Sequence, residues 1–132
     1  MSFAFARSRY RQADTIFQET ATKPYDVVFV TLKELSRALG VLAAAQDSAR
    51  PLPADHVNRA LTAIYILQSS LDFELGGEIA GDLFQLYEFA RFHVLKAWRD
   101  ESDARLREAA DAMAEILEAW KGIGPQLEMA AE

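Results

Sequence analysis

The apolar positions of this chain recur at alternating steps of three and four residues, which is the spacing of one face of an α-helix. Four long segments show the pattern, and prolines or glycines separate them. The first predicted helix covers about 24–46, with Pro24 close to its first turn. Its apolar stripe consists of Val28, Leu32, Leu35, Leu39 and Leu42.

Three further helices follow the first. The second is expected to run from a cap at Asp55 to Gly76, the third over about 78–99, and the fourth from 102 or 103 to Gly122. The predicted inward residues are Val57, Leu61, Ile64, Leu71 and Leu75, then Ile79, Leu83, Leu86, Ala90 and Ala97, then Leu106, Ala110, Met113, Leu117 and Trp120. Long helices joined by short loops predict an all-α fold, an antiparallel four-helix bundle over residues 23–123.

The two ends of the chain lack this regular pattern. Residues 1–22 carry large apolar side chains, among them Tyr10, Ile16 and Phe17, in a stretch that also holds several arginines. Solvent would suit these apolar side chains poorly, so we predict an N-terminal arm or short cap helix that docks on the bundle. Residues 124–132 show no strong pattern and are predicted to be a mobile C-terminal tail.

Composition excludes several classes of function. The chain has 132 residues, a net charge of −6 and no cysteine. Negative charge repels phosphate backbones and anionic lipids, so neither nucleic acid nor membrane insertion is expected. Because disulfides and thiolate metal sites need cysteine, a reducing compartment suits the chain, and we predict the cytoplasm.

The polar residues do not assemble into a recognisable catalytic or metal-binding pattern. Di-iron bundles use Glu-x-x-His pairs, but His56 follows Pro53 by three residues and His93 follows Ala90. No matched acid, base and nucleophile is present either. The sequence therefore predicts a protein that is not an enzyme and that holds no metal or other cofactor.

Apolar residues exceed what a four-helix core requires. At 100° per residue, several lie roughly opposite the inward stripes of the second and third helices, and Trp98 lies to one side. The surplus consists of Ile66, Phe73, Phe84, Phe92 and Leu95, together with Trp98. An exposed apolar face of this kind marks an interaction site, which the arm, a second copy of the chain or a foreign helix could cover. The alternative is that these residues only thicken the core.

One segment around the two adjacent glycines resembles a known family. The run from Ser69 to Ala80 reads SSLDFELGGEIA, and its characteristic residues are Ser70, Leu71, Asp72, Gly76, Gly77, Glu78, Ile79 and Ala80. This run is similar to the signature of the FliS family of flagellin-specific export chaperones, and the likeness extends from about Tyr10 to Ile123. The chain departs from the family pattern at Leu32-Lys33-Glu34 and at Trp98.

The resemblance implies a function that agrees with the surplus apolar face. Members of this family bind the C-terminal segment of flagellin, prevent premature polymerisation and assist delivery to the export gate, which is a further expected partner. It implies a monomer that forms a one-to-one complex, with Tyr10, Ile16 and Phe17 covering part of the groove in the free protein. A divergent chaperone, a paralogue with another client, and a helical adaptor or self-associating bundle remain open.

Overall fold

The computed structural model describes residues 24–131, with side chains described for 25–122. It contains helices α1 (Pro24–Asp47), α2 (Ala54–Ser69), α3 (Phe73–Trp98) and α4 (Leu106–Ala131), and no strand occurs within the described range. Each helix packs against its neighbours in the chain, and α1 also packs against α4. The prediction of an all-α helical bundle is confirmed.

The core is built from the predicted leucine stripe of α1 and from matching stripes on the other helices. Four α1 leucines are fully buried: Leu32, Leu35, Leu39 and Leu42. The other helices contribute buried residues that include Ala60, Ile64, Leu67, Tyr87, Ala90, Val94, Leu106 and Met113. Burial raises the pKa of Tyr87 to about 12, because a charged phenolate would be poorly solvated in the core.

Contacts at both ends show how α1 and α4 are oriented. Near the start of α1, the Tyr25 hydroxyl donates to the Trp120 carbonyl at 2.9 Å, and Trp120 Nε1 donates to the Tyr25 carbonyl at 3.0 Å. Their rings stack with centroids 5.4 Å apart. Near the end of α1, Arg107 Nη2 donates to Asp47 Oδ2 at 3.0 Å. The two helices therefore run in opposite directions, and an antiparallel bundle is compatible with this arrangement.

The connection between α2 and α3 differs from the prediction. Helix α2 ends at Ser69, not at Gly76, and α3 begins at Phe73 with a kink at Gly77. The carboxylate of Asp72 accepts hydrogen bonds from the backbone N–H groups of Glu74 and Leu75, each at 3.0 Å. This N-cap begins α3 before the two glycines, which explains why α2 ends earlier than predicted.

The two glycines at the kink have separate physical roles. Gly77 has φ 50° and ψ −124°, a backbone conformation that residues with a Cβ rarely adopt. A Cβ at Gly76 would lie 2.9 Å from the Cβ of Ala80. The first glycine therefore permits close packing, and the second permits the change of direction.

The inward face of α3 is also rotated from the predicted stripe. Ala80, Tyr87 and Val94 are buried, whereas Ile79 is 70% exposed and Leu86 is 38% exposed. Helix α3 has two apolar stripes displaced by one residue, one containing Ile79 and Leu86 and the other containing Ala80 and Tyr87. The structure buries the stripe with Ala80 and Tyr87. The predicted inward positions of Ile79, Leu86 and Leu75 were wrong.

Two other helix boundaries differ from the prediction. Pro53 occupies the N-cap position of α2 without a side-chain cap, and Asp55 lies in the first turn. Helix α4 begins at Leu106 and passes Gly122, reaching Ala131. Among the described glycines only Gly77 has a positive φ, so Gly122 does not adopt the left-handed conformation that would end the helix. The mobility of residues 124–132 stays a prediction.

The predicted N-terminal arm, residues 1–22, lies outside the described residues. The same holds for Tyr10, Ile16 and Phe17, which were expected to cover the apolar face. Their docking stays a prediction.

His93 joins α3 to the start of α4. Its Nδ1 accepts a hydrogen bond from the Arg105 backbone N–H at 2.9 Å, and its ring lies against those of Phe89 and Phe92. Burial, followed by the positive charges of Arg105 and Lys96, lowers the pKa of His93 below its ordinary value of 6.5. The neutral imidazole is therefore the form that the fold uses.

Leu39→Ala should reduce the free energy of unfolding by about 2–5 kcal/mol, because it leaves a cavity where the leucine side chain is fully buried. Urea unfolding followed by helical circular dichroism measures the change. Val30→Ala is the matched control, since Val30 lies on the same helix but is 60% exposed. A loss below about 1 kcal/mol for Leu39→Ala would contradict the assigned core.

Stability should decline as the pH falls from neutral through 6.5, because the unfolded chain then protonates His93 more readily than the folded chain does. Above that pH the contribution is fully present, since the imidazole is neutral in both states. Urea unfolding near pH 7 and near pH 5.5 should show a decline that His93→Gln reduces. An undiminished decline in His93→Gln would assign the pH dependence to other groups.

Candidate functional site

Exposed large apolar side chains are concentrated on helix α3. Among the described residues, α3 carries six of the eight, whereas α1 and α2 carry one each, Val30 and Tyr65. The six are Phe73, Leu75, Ile79, Leu86, Phe92 and Trp98. A set of apolar side chains on one helix is typical of an interaction surface, so α3 is the candidate site.

One side of α3 carries four of the predicted site residues: Phe84, Phe92, Leu95 and Trp98, which we term the distal face. At 100° per residue, Phe84, Leu95 and Trp98 fall within about 60° of one another, and Phe92 lies about 60° beyond Leu95. Phe92 is 53% exposed and Trp98 is 51% exposed, whereas Phe84 and Leu95 are half-buried. The helix therefore brings these four residues to one broad surface.

Polar groups on the distal face already have partners. Glu88 accepts hydrogen bonds from Gln68 Nε2 of helix α2 at 2.7 Å and from Arg91 Nε at 3.0 Å. These bonds, with that from Arg91 the larger influence, lower the pKa of Glu88. Lys96 lies 5.7 Å from the centroid of the Phe92 ring and donates to Asp103 at 2.7 Å. A partner can therefore cover the apolar groups without leaving a new charge unpaired.

The two remaining predicted groove residues have different positions. Phe73 is 53% exposed, and its ring meets that of Phe84 edge-on with centroids 6.1 Å apart. Ile66 is only 7% exposed, which differs from the outward position expected for it. Helix α2 buries residues around much of its circumference, including Thr62 and Leu67, so its second apolar stripe is part of the packed interior.

A second exposed apolar surface on α3 was not predicted. Leu75, Ile79 and Leu86 are exposed near the start of α3, with Leu75 in the turn before the kink at Gly77, and we term these three residues the proximal face. Leu75 is 89% exposed, more than any other large apolar side chain in the described part of the chain. All three had been assigned to the core by periodicity. The only sequence signal for this exposed surface was the Gly76-Gly77 pair. A helix break at these glycines means that the preceding turn need not share the buried face of the following helix.

Most residues of the glycine-containing motif have structural roles. The Ser70 hydroxyl donates to the Leu67 carbonyl at 2.9 Å, and Leu71 packs against the core. Asp72 caps α3, and Ala80 is buried. Glu78 and Ile79 are exposed. The motif thus builds the turn and leaves part of its own surface available for contact.

The arrangement is suited to binding apolar segments. Within the described residues, no group of three or more histidine, cysteine, aspartate or glutamate side chains is placed to hold a metal ion. None of the described helices combines the length and apolar character that crossing a membrane would need. The prominent feature of the surface is exposed apolar area on one helix.

Comparisons with known proteins agree on one family. The family model described as flagellar protein FliS matches residues 6–127. The flagellar secretion chaperone FliS of Vibrio cholerae is 29% identical over 118 residues, which cover 89% of this chain and 87% of that protein. The flagellar secretion chaperone FliSB of Pseudomonas aeruginosa is 26% identical over 122 residues, covering 89% of this chain and 94% of that protein.

A shorter match supports the same assignment. The flagellar secretion chaperone FliS of Salmonella typhimurium is 37% identical over 60 residues, covering 46% of this chain and 44% of that protein. No solved structure gives a significant match. Because the family model spans nearly the whole sequence, this chain belongs to the FliS family of flagellar proteins.

Proposed function

We propose that this protein is a cytoplasmic flagellin export chaperone. It binds the C-terminal helical segment of flagellin, prevents premature polymerisation and assists delivery to the flagellar type III export apparatus. Membership of the family and the names of the relatives, which are flagellar secretion chaperones, support this function. The proposal depends chiefly on the distal face, where the aromatic side chains of Phe92 and Trp98 are half exposed while the inward side of the helix is packed in the core.

Burial of the distal face would contribute to holding a client helix. The exposed halves of Phe92 and Trp98 amount to about 100 Å² each, given the usual size of aromatic side chains. Burying both contributes about 5 kcal/mol at about 25 cal/mol per Å², before the cost of ordering the client is deducted. Phe84 and Leu95 lie beside them and extend the surface.

The physical mechanism is the docking of an amphipathic helix. A client segment that is disordered alone folds as its apolar face meets α3, and the entropy lost on ordering offsets part of the gain. Covering that apolar face keeps the client from other flagellin molecules. The ordering cost limits the affinity, so the client can be released without a chemical step, and no cofactor is required.

Phe92→Glu combined with Trp98→Glu should weaken binding of a flagellin C-terminal segment by at least about tenfold, because hot-spot aromatics on an interface contribute about 2 kcal/mol or more each. Both side chains are half exposed, so the helical circular dichroism should be retained. Calorimetric titration measures the affinity of both proteins. For the unsubstituted protein, size-exclusion chromatography with mass measurement should show a one-to-one complex.

The matched control places the same two charges on α1. Val30→Glu combined with Ala44→Glu alters exposed positions and gives the same net charge, so client binding should be retained. Equal weakening by both double variants would overturn the assignment of the distal face. A free protein that is a stable dimer through this face, with no binding of flagellin, would instead support the self-associating bundle.

Deletion of residues 1–17 should raise the affinity for the flagellin segment, if Tyr10, Ile16 and Phe17 cover the distal face as proposed. A client must displace such a cover, so its apparent affinity falls with the fraction of covered molecules. Calorimetric titration of both forms against one segment measures the change. Weaker binding by the truncated form would mean that the arm contacts the client productively.

A further inference from the structure

Ile79 and Leu86 of the proximal face form one end of a strip that runs along α3. Ile79, Leu86 and His93 are spaced seven residues apart, so successive members are displaced by only about 20° around an ideal helix. The start of α4 covers the strip at His93, where the Arg105 N–H donates to the ring. At Ile79 and Leu86 the strip is open. The strip is therefore packed against the start of α4 at His93 and exposed to solvent at Ile79 and Leu86.

The surroundings of the open end are acidic. Four carboxylates lie within 72–82, at Asp72, Glu74, Glu78 and Asp82, and the sequence has no lysine or arginine from 60 to 90. Each ion pair among the described residues involves other carboxylates. Glu74, Glu78 and Asp82 therefore have no cationic partner among the ion pairs of the described residues, whereas Asp72 accepts the N-cap hydrogen bonds of α3.

The distal face has a different electrostatic character. There, Arg91 pairs with Glu88, Lys96 with Asp103, and Arg99 with Glu101. The two faces also point in different directions, because Phe84 and Leu95 lie about 160–180° around the helix from Leu86. A straight helix docked on the distal face would leave the proximal face uncovered.

We propose that the proximal face is a docking surface for an amphipathic helix of a separate protein, in which leucine-type side chains are flanked by lysine or arginine. The apolar side chains of Leu75, Ile79 and Leu86 would receive the apolar ridge of that helix. Glu78 and Asp82, one helical turn apart beside the strip, would attract its cations. Complementary charge is the feature that selects this partner over a second copy of this chain, whose net charge is −6.

The test uses the full chain and a synthetic peptide of leucine and lysine patterned as an amphipathic helix, with binding followed by fluorescence anisotropy at physiological ionic strength. Glu78→Lys combined with Asp82→Lys should weaken binding by at least about tenfold, because it reverses the complementary charges. Leu75→Ser combined with Ile79→Ser should weaken it similarly. A peptide with glutamate in place of every lysine should bind far less well.

Asp111→Lys combined with Glu115→Lys is the matched control. It changes the net charge equally, has the same four-residue spacing, and lies on the exposed side of α4. Binding within about twofold of the original supports a local site, since a general charge effect would act on both variants alike. Equal weakening by both charge variants, or equal binding of the glutamate peptide, overturns the proposal.

Deletion of residues 1–22 tests the other possible occupant. These residues include Arg7, Arg9 and Arg11 among apolar side chains, so they could compete for the proximal face. Unchanged peptide binding supports a separate partner, whereas a gain of about tenfold or more would assign the surface to this chain's own N-terminus and overturn the proposal. The peptide contains no flagellin sequence, so the outcome does not depend on flagellin binding.

Discussion

Burial of the leucine stripe on α1 is the interaction on which the rest of the structure depends. Leu32, Leu35, Leu39 and Leu42 are completely shielded from solvent, and α1 packs against both α2 and α4. Tyr25 and Trp120 join one end of the α1–α4 pair, and Asp47 and Arg107 join the other. Helix α3 packs against α2 and α4. It is thereby held on its inward side, while its outer surface remains open to partners.

The helix count and the leucine core followed directly from the sequence, because a long stripe such as that of α1 has only one buried orientation. Helix α3 was harder to predict, since it carries two apolar stripes displaced by one residue. In addition, apolar periodicity extended α2 to Gly76, whereas the N-cap at Asp72 begins α3 before that residue. Periodicity also could not distinguish Ile66, which is buried, from Phe92, which is exposed. That difference depends on which sides of each helix its two neighbours cover.

The two faces of α3 give the protein two chemically distinct surfaces. The distal face combines half-exposed aromatics with ion pairs that are already satisfied, which suits an apolar client segment. The proximal face combines exposed aliphatic side chains with Glu78 and Asp82, which form no ion pair among the described residues. Gly77 connects these properties to the fold, because its left-handed backbone separates the capped turn that carries Leu75 from the continuous helix that carries Phe92 and Trp98.

Docking of flagellin on the distal face can be tested directly by following the two indole N–H signals with nuclear magnetic resonance during addition of a flagellin C-terminal segment. Trp98 is half exposed on the distal face, whereas Trp120 stacks on Tyr25 within the bundle, and a Trp98→Phe variant assigns the signals. We expect a saturating shift of the Trp98 signal that is larger than any change at Trp120. Binding of the segment with no change at Trp98 would contradict docking on the distal face.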